Sequence, residues 1–132
     1  MTRQKQRKVV FQLIYSLGFQ GMENKETILE EFYKQQEIEE PIQYIDNTYF
    51  GVCDRWDEID GLIEPALANW SMKRLNAVCR AILRLATFEL KFNPDIPDRV
   101  AVNEAIELAK EFGEEDSGSF VHGVLSTISK NG

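Results

Sequence analysis

One histidine, two cysteines and a basic opening helix studded with aromatics are the residues of this chain with chemistry to offer. His122 is the only histidine, and on a helix it points away from the centre of the neighbouring apolar stripe, toward solvent or a partner. To act as a general base it would need a positioned partner and a nucleophile, and no motif supplies either. Neither a GxGxxG nor a Walker A loop is present. Asp57, Glu58 and Asp60 cluster at a helix start, where the macrodipole accounts for them without catalysis. Cys53 and Cys79 lie far apart in apolar helical patterns, with no CxxC and no Cys/His cluster. Buried free thiols are expected of them, not a metal site or a disulfide. The chain reads as a non-enzyme with no metal and no cofactor.

Binding chemistry is concentrated at the N-terminus. Residues 1–22 hold Arg3, Lys5, Arg7 and Lys8 and no carboxylate, a charge of +4, against −11 for the remainder and −7 overall. An acidic body repels phosphates over most of its surface and so argues against indiscriminate nucleic-acid binding, while a basic end still permits a directed contact. On the first helix Lys5, Lys8, Gln12 and Tyr15 fall opposite the stripe Val9, Val10, Leu13, Ile14 and Leu17, with Arg7 and Phe11 at the border. A charge cluster alone marks a solvated helix face. An aromatic interleaved with the cations adds a second reading, because stacking on bases plus phosphate pairing is how single-stranded RNA is held.

The element that must position these residues is Leu75–Phe92. Its polar residues Arg80, Arg84, Thr87 and Lys91 recur at spacings of four, three and four, which stacks them on one narrow stripe. Nearly everything else in it is apolar, the pattern of a helix contacted on several sides. It is too short and too charged to span a membrane. The basic N-terminus is followed by no unbroken apolar run, so no signal peptide is expected and the cytoplasm is the expected compartment.

Six further helices are expected around it. The first runs Thr2 to Leu17 with Thr2 as N-cap, and Gly18 and Gly21 bracket a turn. A second spans roughly 26–37, and Pro41 opens a third whose Ile42, Ile45, Tyr49, Val52 and Trp56 share one face. Gly51 in its middle implies close helix packing there. A fourth covers roughly Asp57 to Ala68, kinked or shortened by Pro65. Trp70-Ser71 marks a break before the central helix. A sixth, roughly Asp98 to Phe112, buries Val102, Ala105, Ile106, Ala109 and Phe112 and stops at Gly113. The last is capped by Asp116 or Ser117, with Phe120, Val121, Val124, Leu125 and Ile128 as its stripe. With 132 residues, 43% apolar and 28% charged, this is one soluble all-α domain.

Three stretches together resemble the NusB family of bacterial transcription antitermination factors: AILRLATFEL at 81–90, IPDRVAVNEAIELAKEFG at 96–113 and EDSGSFVHGVL at 115–125. IDGLIEPALANW at 59–70 and the basic helix ending FQLIY at 11–15 support it, in order and over nearly the whole chain. The resemblance implies a single domain, 1–132, of two small helical subdomains, about 1–70 and about 71–132. It implies binding of boxA-type single-stranded RNA from ribosomal RNA leader transcripts, as a heterodimer with NusE, the small-subunit ribosomal protein. That pair would join NusA and NusG on RNA polymerase, and the free protein is expected as a monomer or a homodimer.

Carried onto this chain, the RNA-holding positions are Arg3, Lys5, Arg7, Lys8, Gln12 and Tyr15, then Ser117, Phe120 and His122. NusE is expected on the acidic body, including an exposed edge of the central helix at Arg80 and Arg84. Two departures stand out. His122 occupies the place of the family's usual Asn in FVNGVL; both side chains donate and accept, but histidine's charge varies with pH. TRQKQRK replaces a denser arginine cluster, and lysine lacks arginine's bidentate fork, so weaker RNA binding without NusE is expected. The same helical domain also occurs at the N-terminus of RNA cytosine-5 methyltransferases, where it helps dock ribosomal RNA; under that alternative this chain would be the RNA-docking fragment of such an enzyme. A protein-binding scaffold without RNA contact is a third reading, and under it neutralising Lys5, Arg7 and Lys8 would leave function intact.

Overall fold

The computed structural model describes residues 1–131. In it seven α-helices follow one another: α1 (Arg3–Gln20), α2 (Lys25–Gln35), α3 (Gln43–Asp54), α4 (Trp56–Ile63), α5 (Ala77–Phe92), α6 (Asp98–Phe112) and α7 (Ser117–Lys130). No strand occurs among the described residues. The centre is α5, where every residue from Ala81 to Glu89 is buried. Asn76 starts it by accepting the Cys79 amide at 2.8 Å, satisfying one of the orphan donors of the first turn. The helix packs against α1, α3, α4, α6 and α7, so elements from both halves of the chain share one core.

Local chemistry sets the ends. Thr2 caps α1 by accepting the Lys5 amide at 3.2 Å. The helix does not stop at Leu17 as expected; it runs through Gly18 to Gln20. Gly21, at φ +94°, ends it, because that conformation is one that side-chain-bearing residues rarely adopt. Pro41 lies just outside α3 rather than in its first turn. The hydroxyl of Tyr33 does the capping there: it accepts the Ile42 amide at 3.0 Å and donates to the Asp46 carboxylate. Burial and the bond to Asp46 push that phenol up to about 12.

Pro65 ends α4 early, and the chain continues as a 3-10 turn, Glu64–Leu67, because proline cannot donate to the helical ladder. Gly51 is where α3 meets α5: a Cβ there would lie 2.4 Å from Cζ of Phe88. On α6 the buried stripe is Ala101, Ala105, Leu108 and Ala109. Val102, Ile106 and Phe112, expected inside, are half-buried; the small residues face α5 and α7 and let the helices close up. Gly113 stops α6 for a similar reason, since a Cβ on it would lie 2.7 Å from the Ala109 carbonyl and from Oγ of Ser117.

Candidate nucleic-acid interface

The outward face of α1 carries Arg3, Lys5, Gln12 and Tyr15 exposed and Lys8 half-buried. Arg3 places its guanidinium 4.3 Å from the Tyr44 ring centroid. Lys8 reaches Glu111 of α6 at 2.9 Å, a surface pair of little energetic consequence that a phosphate could replace. Phe11 is buried against Phe112, their ring centroids 5.0 Å apart. Tyr15 stands between it and Phe19, edge-on to the latter at 5.0 Å. The aromatics of α1 thus run as a row from the core to the surface, ending on Phe19, which is 67% exposed.

Arg7, expected among the RNA-contacting cations, is instead buried. Its guanidinium donates to both carboxylate oxygens of Glu89 on α5, with Nε at 3.0 Å from one of them, and lies 3.8 Å from Glu104 of α6. Tyr44 of α3 donates to the same Glu89 at 2.7 Å. Burial disfavours the charged guanidinium, but the hydrogen bond to Glu89 and the surrounding negative charge outweigh it, and the Arg7 pKa is raised. Arg7 therefore locks α1 to α5 and α3. Glu89 was missed because an isolated carboxylate in an apolar run reads as a stray polar position; that isolation is itself the signal of a buried ion pair.

Arg84 is likewise not at an exposed edge. It forms a two-pronged pair with Asp60 of α4, at 2.8 and 3.0 Å, and lies 3.9 Å from the Trp56 ring centroid. Asp60 consequently has a partner beyond the helix dipole. Arg80 is half-buried and donates to the carbonyls of Met72 and Leu75. Neither guanidinium is presented freely to a docking protein.

At the start of α7, Ser117 is buried: its hydroxyl accepts the Glu114 amide at 2.9 Å and meets the Cys79 thiol at 3.9 Å. It shapes the α6–α7 loop rather than facing outward. Phe120 is half-buried and His122 exposed. Phe120 shares a surface cleft of about 270 Å³ with Trp70, Asn76 and Asp116. Sequence reasoning treated Trp70 only as a helix break and passed over Phe19; large apolar side chains at 53% and 67% exposure were the signal that periodicity alone does not carry. Cys53 and Cys79 are free and buried, and burial pushes the Cys53 thiol up to about 11. Among the described residues, no group of three or more His, Cys, Asp or Glu could hold a metal ion, and no helix is long and apolar enough to cross a membrane.

A helical domain whose distinctive side chains form a cationic, aromatic face belongs to the class that works through a surface. Residues 4–130 match the NusB family. The transcription antitermination protein NusB of Clostridium botulinum is 41% identical, over 97% of this chain and 99% of that protein. The structure of T. maritima NusB superimposes with a TM-score of 0.87 at 38% identity, covering 98% of this chain and 92% of that one. NusB from a crystal structure of the antitermination factors NusB and NusE with dsRNA matches with a TM-score of 0.86 at 29% identity, over 100% of both chains. The chain belongs to the NusB family.

Proposed function

We propose that this chain is a transcription antitermination factor that holds boxA-type RNA of ribosomal RNA leader transcripts as a heterodimer with NusE. The observation that carries this is the full-length match to a NusB chain solved together with NusE and RNA. The cationic, aromatic face of α1 agrees with it. Arg3, Lys5, Lys8 and Gln12 contact phosphate and sugar, and Tyr15 stacks on a base; Phe120 and His122 extend the contact from α7. Arg7 and Ser117 serve by positioning α1 and the α6–α7 loop. NusE docks on the acidic body, and the pair acts in the cytoplasm on RNA polymerase with NusA and NusG. No reaction is catalysed, and the free chain is able to pair with itself.

The test is a titration of the purified chain, with and without NusE, against a boxA-type single strand, a scrambled strand and the corresponding duplex at two salt concentrations. Selective, salt-sensitive binding that tightens with NusE is expected. Equal affinity with and without NusE would remove the cooperative part of the reading. Absence of selectivity under every condition would leave a helical scaffold and no RNA role.

A further inference from the structure

On α6 the glutamates Glu104, Glu107 and Glu111 follow one another at spacings of three and four, which puts all three on one face of that helix. That face borders the cationic face of α1. A surface cleft of about 660 Å³ separates them, with Gln4, Lys5 and Lys8 on one wall and the three glutamates on the other.

The three carboxylates are not equivalent. Glu104 lies 3.8 Å from the Arg7 guanidinium and accepts from the Gln4 amide at 3.5 Å, so it belongs to the lock that holds α1 in place. Glu107 pairs within its own helix, with Lys110 at 3.6 Å. Glu111 instead crosses to α1 and stands 2.9 Å from Nζ of Lys8. The same ammonium lies 5.9 Å from the Phe112 ring centroid, and Phe112 packs on the buried Phe11. Lys8 is therefore drawn toward α6 rather than extended into solvent. Lys5, on the same side of α1, makes no ion pair among the described residues.

A phosphate that pairs with Lys8 has to take the place of the Glu111 carboxylate. Once displaced, that carboxylate stays beside the phosphate and repels it. Both effects oppose binding, and salt screens both, because the two side chains are 41% and 49% exposed.

We infer that Glu111 is an intramolecular competitor of the RNA backbone: it occupies Lys8 as a phosphate would and so lowers the grip of α1 on RNA. Glu111 sets affinity rather than sequence preference, since a phosphate contact carries no base information. The inference rests on the RNA-binding reading above and adds to it a restraint built into the same face.

Wild type, Glu111→Gln, Lys8→Gln, the double variant and Glu107→Gln are each mixed with saturating NusE and titrated with a boxA-type single strand at two salt concentrations. Glutamine keeps the helix propensity of glutamate, and urea midpoints of the two glutamate variants are expected to match wild type. Glu111→Gln should tighten RNA binding about threefold at the lower salt, the scale of one exposed ion pair, and less at the higher. In the Lys8→Gln background the same substitution should change affinity by less than about 1.5-fold, because the cation it frees is gone. Glu107→Gln removes an equal charge from the same face without freeing Lys8, and should gain less than Glu111→Gln does. A merely structural role for Glu111 would produce neither the gain nor its dependence on Lys8. If Glu111→Gln binds as wild type does, gains equally with and without Lys8, or gains no more than Glu107→Gln, the competitor is overturned and the RNA reading stands. Failure of the wild-type pair to bind RNA at either salt would overturn the inference together with the reading beneath it.

Discussion

Two cations two residues apart on α1 are predicted to behave oppositely when neutralised. Arg7 is enclosed with Glu89, so Arg7→Met leaves a buried carboxylate without its partner and should destabilise the fold by about 3–5 kcal/mol. Lys5 is exposed, and Lys5→Gln should leave the urea midpoint unchanged while lowering the salt slope of RNA binding by about one. Urea unfolding and RNA titration of both variants separate the roles; an Arg7→Met protein as stable as wild type but weak on RNA would return Arg7 to the interface. Thr87 offers a contrast of another kind. Its hydroxyl is fully buried in α5 and has no hydrogen-bond partner, so Thr87→Val removes an unsatisfied polar group at nearly constant volume. A gain of about 1 kcal/mol is expected in the same unfolding assay. A loss would mean that the hydroxyl does find a partner in solution.

Between elements, the tightest constraint is the crossing of α3 and α5 at Gly51. The Cβ of Gly51→Ala would overlap the Phe88 ring, which is itself buried, and α3 would have to move outward. A destabilisation of about 1–3 kcal/mol is expected despite alanine's better helix propensity. Adding Phe88→Leu should recover part of it, and strict additivity of the two changes would show that the contact is not the cause. Sequence reading anticipated this packing because a glycine inside an apolar helical pattern needs a steric reason. It also placed α6, where Pro97 and Gly113 punctuate both ends. It stopped α1 too soon, because Gly18 has open space around it and costs the helix only its propensity, while the true stop depends on the backbone of Gly21. The site was legible only in outline. Periodicity put Arg7 on a border between faces, and its partner Glu89 is 82 residues away, so nothing local reveals which way the side chain turns. The Arg84–Asp60 pair was hidden in the same manner, 24 residues apart and on different helices.

Across the whole molecule, charge is partitioned by segment: +4 in residues 1–22, +4 in residues 65–88 and −15 in the rest. Arg7, Arg80 and Arg84 are turned inward, so the basic surface is Arg3, Lys5 and Lys8 on α1 with Lys73 and Arg74. On an otherwise acidic chain these few cations attract a polyanion locally and disfavour it elsewhere, which is a requirement for selective rather than adhesive RNA binding. The core adds a second global property. Tyr44, Tyr49 and Cys79 have pKa values raised by burial, as do Tyr33, at about 12, and Cys53, at about 11. Ordinary values for these groups are 10.0 for the phenol and 9.0 for the thiol. In the fold they keep their protons at pH values where the unfolded chain releases them. The unfolded state then binds fewer protons, so stability falls as pH rises. The contribution is complete below pH 9 and declines above it, first through the thiols and then through the phenols. Urea midpoints measured at pH 8 and pH 10 should therefore drop at the higher value, and Cys53→Ala should lose stability at pH 8 but show a smaller drop between the two. A midpoint unchanged up to pH 10 would mean that the thiols titrate as freely in the fold as in the unfolded chain, and that the α1–α3–α5 core is more open to water than its packing indicates.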